Sequence, residues 1–215
     1  MNTRTFKVVG MGGLLAFAVA GVGFLSSGQP AVAAAQAGKA PAGGGSDYTI
    51  DGGHSSVIFR IKHLKASNFY GRFNEIEGSF TFDPKNPSAG KIEATINAAS
   101  VDTIIDGRDD HLRKPDFFNA VQFPTISFKS KSIKEGSQGK YELAGDLTLL
   151  GQTKPITATL EFTGENDAGP RFGYRLGLEA VFTIKRSDFG MNYGLDTGAL
   201  GDEVQITVAV GGVRK

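Results

Sequence analysis

Residues 141–162 read YELAGDLTLLGQTKPITATLEF. Tyr141, Leu143, Leu147 and Leu149 fall at even spacing, and Ile156, Ala158, Leu160 and Phe162 repeat the arrangement. Side chains alternate between the two faces of an extended chain, so each segment is a strand with one dry and one wet face. Outward from this pair the same period recurs. Val57, Phe59 and Ile61 alternate with Arg60 and Lys62; Phe80 and Phe82 follow Gly78; Ile92, Ala94 and Ile96 alternate with Glu93, Thr95 and Asn97. Ile126 and Phe128 form another strand, Phe172 to Ile184 a longer one with a bulge or bend near Gly177, and Val204, Ile206, Val208 and Val210 the last. The sum is about eight strands.

Turn residues separate them. Asp83-Pro84-Lys85-Asn86-Pro87, Glu135-Gly136-Ser137-Gln138-Gly139 and Asn166-Asp167-Ala168-Gly169-Pro170 read as hairpin connections, which makes neighbouring strands antiparallel. Residues 102–118 break the pattern; there Asp109 or Asp110 is positioned to cap a short helix carrying His111, Leu112 and Arg113. The fold class is all-β. Alternation alone leaves a closed barrel and a two-sheet sandwich both open.

The chain has 215 residues, 23 Lys and Arg against 22 Asp and Glu, 16 Phe, and no Trp or Cys. That length suits one domain. The balanced charge offers no field to steer the protein onto nucleic acid or an anionic membrane. The absence of Cys removes disulfides, thiolate nucleophiles and thiolate metal ligands. Arg4 and Lys7 precede an uncharged run from Val8 to Leu25, and Ala31-Val32-Ala33 supplies small residues at a cleavage spacing. Residues 1–35 are therefore read as a signal peptide and the protein as periplasmic or secreted; an uncleaved membrane anchor is the alternative, since the run is near the length of a spanning helix. Residues 36–46 hold only Ala, Gly, Gln, Lys, Pro and Ser and read as a flexible tether. The folded domain is 47–215.

Asp51-Gly52-Gly53-His54-Ser55, followed by Val57, Phe59, His63-Leu64, Ser67, Gly71 and Phe73, opens a series of motifs. Ser100-Val101-Asp102-Thr103, Arg108-Asp109, His111-Leu112-Arg113, Asp116-Phe117-Phe118 and Phe123-Pro124 follow. Gly145-Asp146-Leu147-Thr148-Leu149, Gly151, Thr153-Lys154-Pro155, Arg186-Ser187-Asp188-Phe189-Gly190-Met191 and Asp202-Glu203-Val204 complete it. In this order the motifs resemble the YceI-like family, over the domain from about Tyr48 to near the C-terminus. The resemblance implies a lipocalin-like, elongated antiparallel barrel of about eight strands with one short helix. It further implies export to the periplasm and binding of polyisoprenoid chains such as quinone tails or polyprenyl phosphates. The Gly- and Ala-rich tether is not part of the family pattern.

A polyprenyl tail is nearly all hydrocarbon, so binding it requires a dry tunnel. Val57, Phe59, Ile61, Phe73, Phe80, Phe82, Phe128, Leu147, Leu149, Leu160, Phe162, Phe182 and Phe189 are the candidates to line one; filling a solid core is the other use for them. Arg108, Asp109, His111 and Arg113 are candidates to meet a head group by charge-assisted hydrogen bonds. Their alternative role is structural, with Asp109 capping the helix and the arginines tying the loop to the barrel end. The lipid would be a ligand, and no cofactor is expected. A homodimer is compatible with an elongated barrel, although no residue pattern specifies one, and a membrane would be the donor or acceptor of the lipid.

No catalytic or metal-binding residue is assigned. His54, His63 and His111 would suffice for a zinc site only if they converged, and no two have the spacing of a helical zinc motif. No Gly-x-Ser-x-Gly elbow occurs, and Gly43-Gly44-Gly45 sits in the tether without a flanking strand and helix. The lysines of 129–134 solvate an outer face or protect a sheet edge. A carrier that binds and does not catalyse is the leading expectation. A histidine- or metal-dependent enzyme and a ligand-free stress or scaffold barrel are the alternatives.

Overall fold

The computed structural model describes residues 46–215. The leader read at 1–35 and all of the 36–46 tether except Ser46 lie outside the described residues; Ser46 opens the first strand. In chain order the strands are β1 (Ser46–Ile50), β2 (Ser56–His63), β3 (Ser67–Phe73), β4 (Ile76–Phe82), β5 (Lys91–Asn97) and β6 (Val101–Asp102). After helix α1 (Asp106–Leu112) come β7 (Thr125–Glu135), β8 (Tyr141–Leu149), β9 (Gln152–Asp167), β10 (Tyr174–Lys185) and β11 (Leu200–Arg214). No helix among the described residues is long and apolar enough to cross a membrane.

These segments make an eight-stranded, closed antiparallel barrel, because three of the staves are interrupted. β1 and β2 are one stave broken by a 3-10 turn at Gly52–His54, β3 and β4 are broken at Asn74 and Glu75, and β5 and β6 by a 3-10 turn at Ala98–Ser100. Each stave pairs with the next in sequence. β11 then closes the ring, pairing with β10 along one side and with both β2 and β1 along the other. Of the two architectures that alternation left open, the barrel is the one observed.

Several local readings hold. The three predicted connections join β4 to β5, β7 to β8 and β9 to β10, each as an antiparallel pair. The irregularity near Gly177 is a bulge: Gly177 pairs with Gly164 and Leu178 with Phe162, leaving Thr163 as the extra residue. β7 is no edge strand, since β5 and β8 flank it, and its lysines instead solvate the outer face, with Lys129 pairing Glu93 at 2.8 Å and Lys131 pairing Asp146 at 2.6 Å. The β8–β9 turn escaped the sequence reading. It is only Leu150-Gly151, with positive φ of 52° and 71°, as a two-residue hairpin loop requires.

The two ends of the barrel differ. The predicted hairpin turns and the C-terminal end of β11 gather at one end, where aromatic rings fill the bore. Tyr48 stacks on Phe80 with centroids 5.1 Å apart, and Phe82 meets Tyr141 at 5.2 Å and Phe162 at 6.1 Å. Arg214 lies 3.6 Å over the Tyr174 ring and donates to the Tyr48 hydroxyl. The long connections, residues 103–124 and 186–199, stand at the other end. There β6 does not pair with β7, and the segment carrying α1 occupies the gap.

Closure at the plugged end depends on Gly212, which pairs with Ile50. A Cβ there would lie 2.4 Å from the Phe80 ring and 2.8 Å from the Tyr48 Cβ. Gly212→Ala is expected to lower the unfolding free energy by about 1–3 kcal/mol through overpacking, read as a reduced midpoint in urea denaturation.

Candidate functional site

The bore between the aromatic plug and the open end contains two adjoining chambers. The lower, of about 130 Å³, is walled by hydrocarbon, and among the described residues Ser127 is the only one of its lining with a polar side chain. Its position follows from the strand alternation. Val57, Phe73, Phe128, Leu147, Leu149, Leu160 and Phe182, all predicted to line a tunnel, line it. The residues that sequence reasoning did not name for it include Ile126, Ile156, Ala180 and Ile184, of the same inward parity on the same strands, and Val208 on β11.

The upper chamber, of about 290 Å³, lies under the open end, and the Phe73 side chain lines both. Phe59 and Ile61 line it, with Phe118 from the 103–124 segment. Phe59, Phe73 and Phe118 form an aromatic cluster with centroid separations of 5.1–6.5 Å. The remaining predicted tunnel residues are placed otherwise. Phe80, Phe82 and Phe162 line neither chamber because they form the plug, and Phe189 is buried in the core within the 3-10 turn after β10. Parity alone does not register height along the bore, so it does not separate Phe80, Phe82 and Phe162 from the lining residues, and Phe189 lies on no strand.

The proposed head-group residues divide into two pairs. Arg108 and His111 line the upper chamber. Asp109 and Arg113 do not, and both are structural. Helix α1 starts after Ile105, so Asp109 lies inside it and caps nothing; its carboxylate instead accepts the Thr103 backbone N–H at 2.9 Å and the Thr103 hydroxyl. Arg113 donates to the Ala99 and Val101 carbonyls and to Asp110, tying the segment to the stave of β5 and β6. Arg108 donates through Nε to the Thr103 hydroxyl at 2.7 Å and through Nη2 to its carbonyl, with its guanidinium 4.5 Å over the Phe69 ring. His111 Nε2 is 3.0 Å from Asp116, and its ring meets Phe117 and Tyr193 edge-on.

Two basic residues of this chamber were missed. His63, at the end of β2, lines it, and so does Arg186, which is 1% exposed. The signal for Arg186 was present: Phe182 and Ile184 face inward on β10, and Arg186 is the next residue of that parity. Desolvation pushes its guanidinium pKa down, opposed by the field of Asp202. His54 is distant from this set, in the outer 3-10 turn, where its Nδ1 meets Asp51 at 2.9 Å. Among the described residues no group of three or more His, Asp or Glu is placed to hold a metal ion.

Around the open end, large apolar side chains face solvent. Ile104 is 94% exposed and Val121 96%, with Ile105 and Leu64 also exposed. Ile104 adopts φ of 75°, a left-handed conformation that a β-branched residue rarely takes. Asp102 holds it there, accepting the Ile104 N–H at 2.9 Å and bonds from Asn74 and Arg72. Those bonds, the Ile104 amide foremost, lower the Asp102 pKa to about 2.

A closed antiparallel barrel with a hydrocarbon bore and one open end defines a class of proteins that enclose apolar ligands. The chain belongs to the YceI-like domain family, whose model matches residues 48–211. A UPF0312 protein of Pseudomonas aeruginosa is 46% identical over 171 residues, which is 79% of this chain and 87% of that one. A UPF0312 protein of Yersinia enterocolitica is 46% identical over 170 residues, 78% and 86% of the two chains. Among solved structures, Burkholderia cenocepacia BcnA superposes with a TM-score of 0.68 at 27% identity, over 75% of this chain and 98% of that one. The Campylobacter jejuni YceI protein gives 0.62 at 33%, over 72% and 91%. A polyisoprenoid-binding domain from Saccharophagus degradans shares the fold, with a TM-score of 0.58 at 16% identity over 78% and 98%.

Asp102 makes the rim acid-sensitive. Its folded pKa lies below the ordinary 3.8, so its stabilisation is complete above that value and lost as pH falls toward about 2. Urea midpoints compared across this window are expected to show Asp102→Asn less stable than the wild type at pH 6, with the difference shrinking as the pH approaches 2.

Proposed function

We propose that this is an exported carrier that shelters a polyisoprenoid, or a lipid of comparable length, inside the barrel and carries out no reaction on it. The observation that carries this reading is the lower chamber, where side chains from around the barrel leave a space walled by hydrocarbon at the foot of an aromatic mouth. Such a space rejects a polar solute, because an unpaired polar group there would lose its hydrogen bonds to water. A prenyl chain loses none and gains roughly 25 cal/mol per Å² of apolar surface buried, offset by the ordering of its rotatable bonds. The Saccharophagus degradans neighbour, a polyisoprenoid-binding domain, has the same fold.

Export rests on the leader-like composition of residues 1–35. The source or destination of the lipid is a membrane, met by the open end. Ile104, Ile105 and Val121 suit that contact: exposed apolar side chains gain by entering a bilayer surface and gain nothing in water.

The direct test is native mass spectrometry, with organic extraction, of the protein purified from a bacterial periplasm. A bound prenyl-chain adduct is the expected result; a bare mass, with no uptake of added quinone or polyprenyl phosphate, would overturn the reading. Ala180→Phe places a ring in the lower chamber and is expected to cut lipid uptake at least about tenfold while circular dichroism stays unchanged. Ile104→Gly removes the left-handed strain and the exposed side chain together. It is expected to raise stability by about 1 kcal/mol and to slow lipid transfer from vesicles, measured by urea denaturation and by fluorescent-lipid exchange.

A further inference from the structure

The two chambers are small for a polyisoprenoid. A cavity of roughly 150 Å³ holds one benzene ring, and the lower chamber has about 130 Å³. As it stands it takes about one five-carbon isoprene unit, and the upper chamber, of about 290 Å³, takes about two. A longer tail enters only where the wall gives way.

Resistance to widening differs from seam to seam. Between β11 and the stave of β1 and β2, the break at Gly52–His54 is mended: the Asp51 N–H donates to the Gly211 carbonyl at 2.8 Å, and the Gly211 N–H to the Ser55 hydroxyl at 3.2 Å. Between the stave of β3 and β4 and that of β5 and β6, the Asn97 N–H donates to the Glu75 carbonyl at 3.1 Å. The Asn74 and Glu75 N–H groups donate to the Ser100 carbonyl at 3.0 Å and hydroxyl at 3.1 Å. Between the first two staves nothing comparable is found among the described residues. Their ladder stops at Thr49–Ser79 and resumes at Val57–Phe73, so no strand pairing joins residues 50–56 to 74–78.

Contact closes this seam in place of pairing. Gly52 lies so near Ile76 that a Cβ on it would come within 2.7 Å of the Ile76 carbonyl oxygen. On the inner side Ile50, Val57, Phe73 and Ile76 are buried, and all four line the lower chamber. On the outer side is a cleft of about 620 Å³, bordered by Gly52 and Gly53 on one stave and by Asn74, Glu75 and Glu77 on the other, which leaves either stave room to move. Parting a paired seam would strip buried ladder groups of their partners. Parting this one separates apolar side chains, which an incoming hydrocarbon chain then covers.

We propose that the seam between residues 50–56 and 74–78 is where the wall yields to a long tail, and that Ile50, Val57, Phe73 and Ile76 thereby determine which chain lengths the barrel accepts. This rests on the lipid-binding reading and adds the limit on its ligand. A chain of up to about three isoprene units fits the chambers as they stand. A longer one has to part the two staves, its own carbons replacing the contacts that the four side chains lose.

The test locks the seam. The chain has no Cys, so Gly53→Cys with Glu77→Cys supplies its only two thiols, one on each stave at the border of the outer cleft. A Cβ at Gly53 meets Asp51 Oδ1 at 3.5 Å, an ordinary contact, and Glu77 is exposed. A short bifunctional methanethiosulfonate bridges the pair, and dithiothreitol releases it. Geraniol, with two isoprene units, and geranylgeraniol, with four, are titrated calorimetrically before and after bridging. The bridge is expected to weaken geranylgeraniol about tenfold, to leave geraniol within about twofold, and to lose its effect on reduction. An unchanged geranylgeraniol affinity, or an equal loss for both alcohols, would overturn the yielding seam and leave the lipid carrier standing. Binding of neither alcohol to the unbridged protein would remove the carrier reading and the role of the seam with it. Should the double variant fail to fold or to bridge, hydrogen exchange of the wild type decides: geranylgeraniol is expected to speed amide exchange in residues 50–56 and 74–78, and unchanged or slower exchange there would overturn the proposal.

Discussion

Everything in this molecule depends on β11 being hydrogen-bonded on both sides. Its fifteen residues, Leu200–Arg214, pair with β10 along one edge and with β2 and then β1 along the other. An open sheet with one apolar face must cover that face with another layer, whereas a sheet closed on itself can turn the face inward and leave space within. The interruption at Gly52–His54 lets a single stave follow β11 across a change of direction. Asp51 secures that interruption by bonds to Arg175, His54 and Gly53, and the first two, Arg175 foremost, hold its pKa below the usual carboxylate range.

Closure also makes the two ends unequal. At one end short hairpins bring Tyr48, Phe80, Phe82, Tyr141 and Phe162 into contact, and the bore is solid. At the other, β6 parts from β7 and the gap is bridged by a segment whose own polar groups must be satisfied. Asp109, Arg108 and Arg113 do that, using backbone groups of residues 99–103. The charge of this segment is thus mostly spent on shaping the mouth, and of its charged side chains Arg108 and His111 also face the space it encloses.

How far the sequence could be read depended on the range of the interactions. Period-two alternation is local, so the strands around 57–61, 92–96, 141–149 and 156–162 were legible, as were turns rich in Gly, Pro, Asn and Asp. Short or broken elements were not. β1 holds five residues and β6 two, and each is a strand only because a neighbour supplies its partners. The Leu150-Gly151 turn carries no strong turn signature at its first position; the registers of β8 and β9 impose it.

The same division applies to the site. Alternation by itself determined which side chains face inward, the absence of Cys removed thiol chemistry, and the order of the motifs identified the family, since all three are properties of neighbouring residues along the chain. Only the tertiary structure decided that Phe128 and Phe182 border a cavity while Phe80, Phe82 and Phe162 fill the bore, and that Arg186 joins Arg108 at the mouth. Height along a barrel and convergence from distant loops are set by the stagger of strands around a closed ring, and no local pattern encodes that geometry.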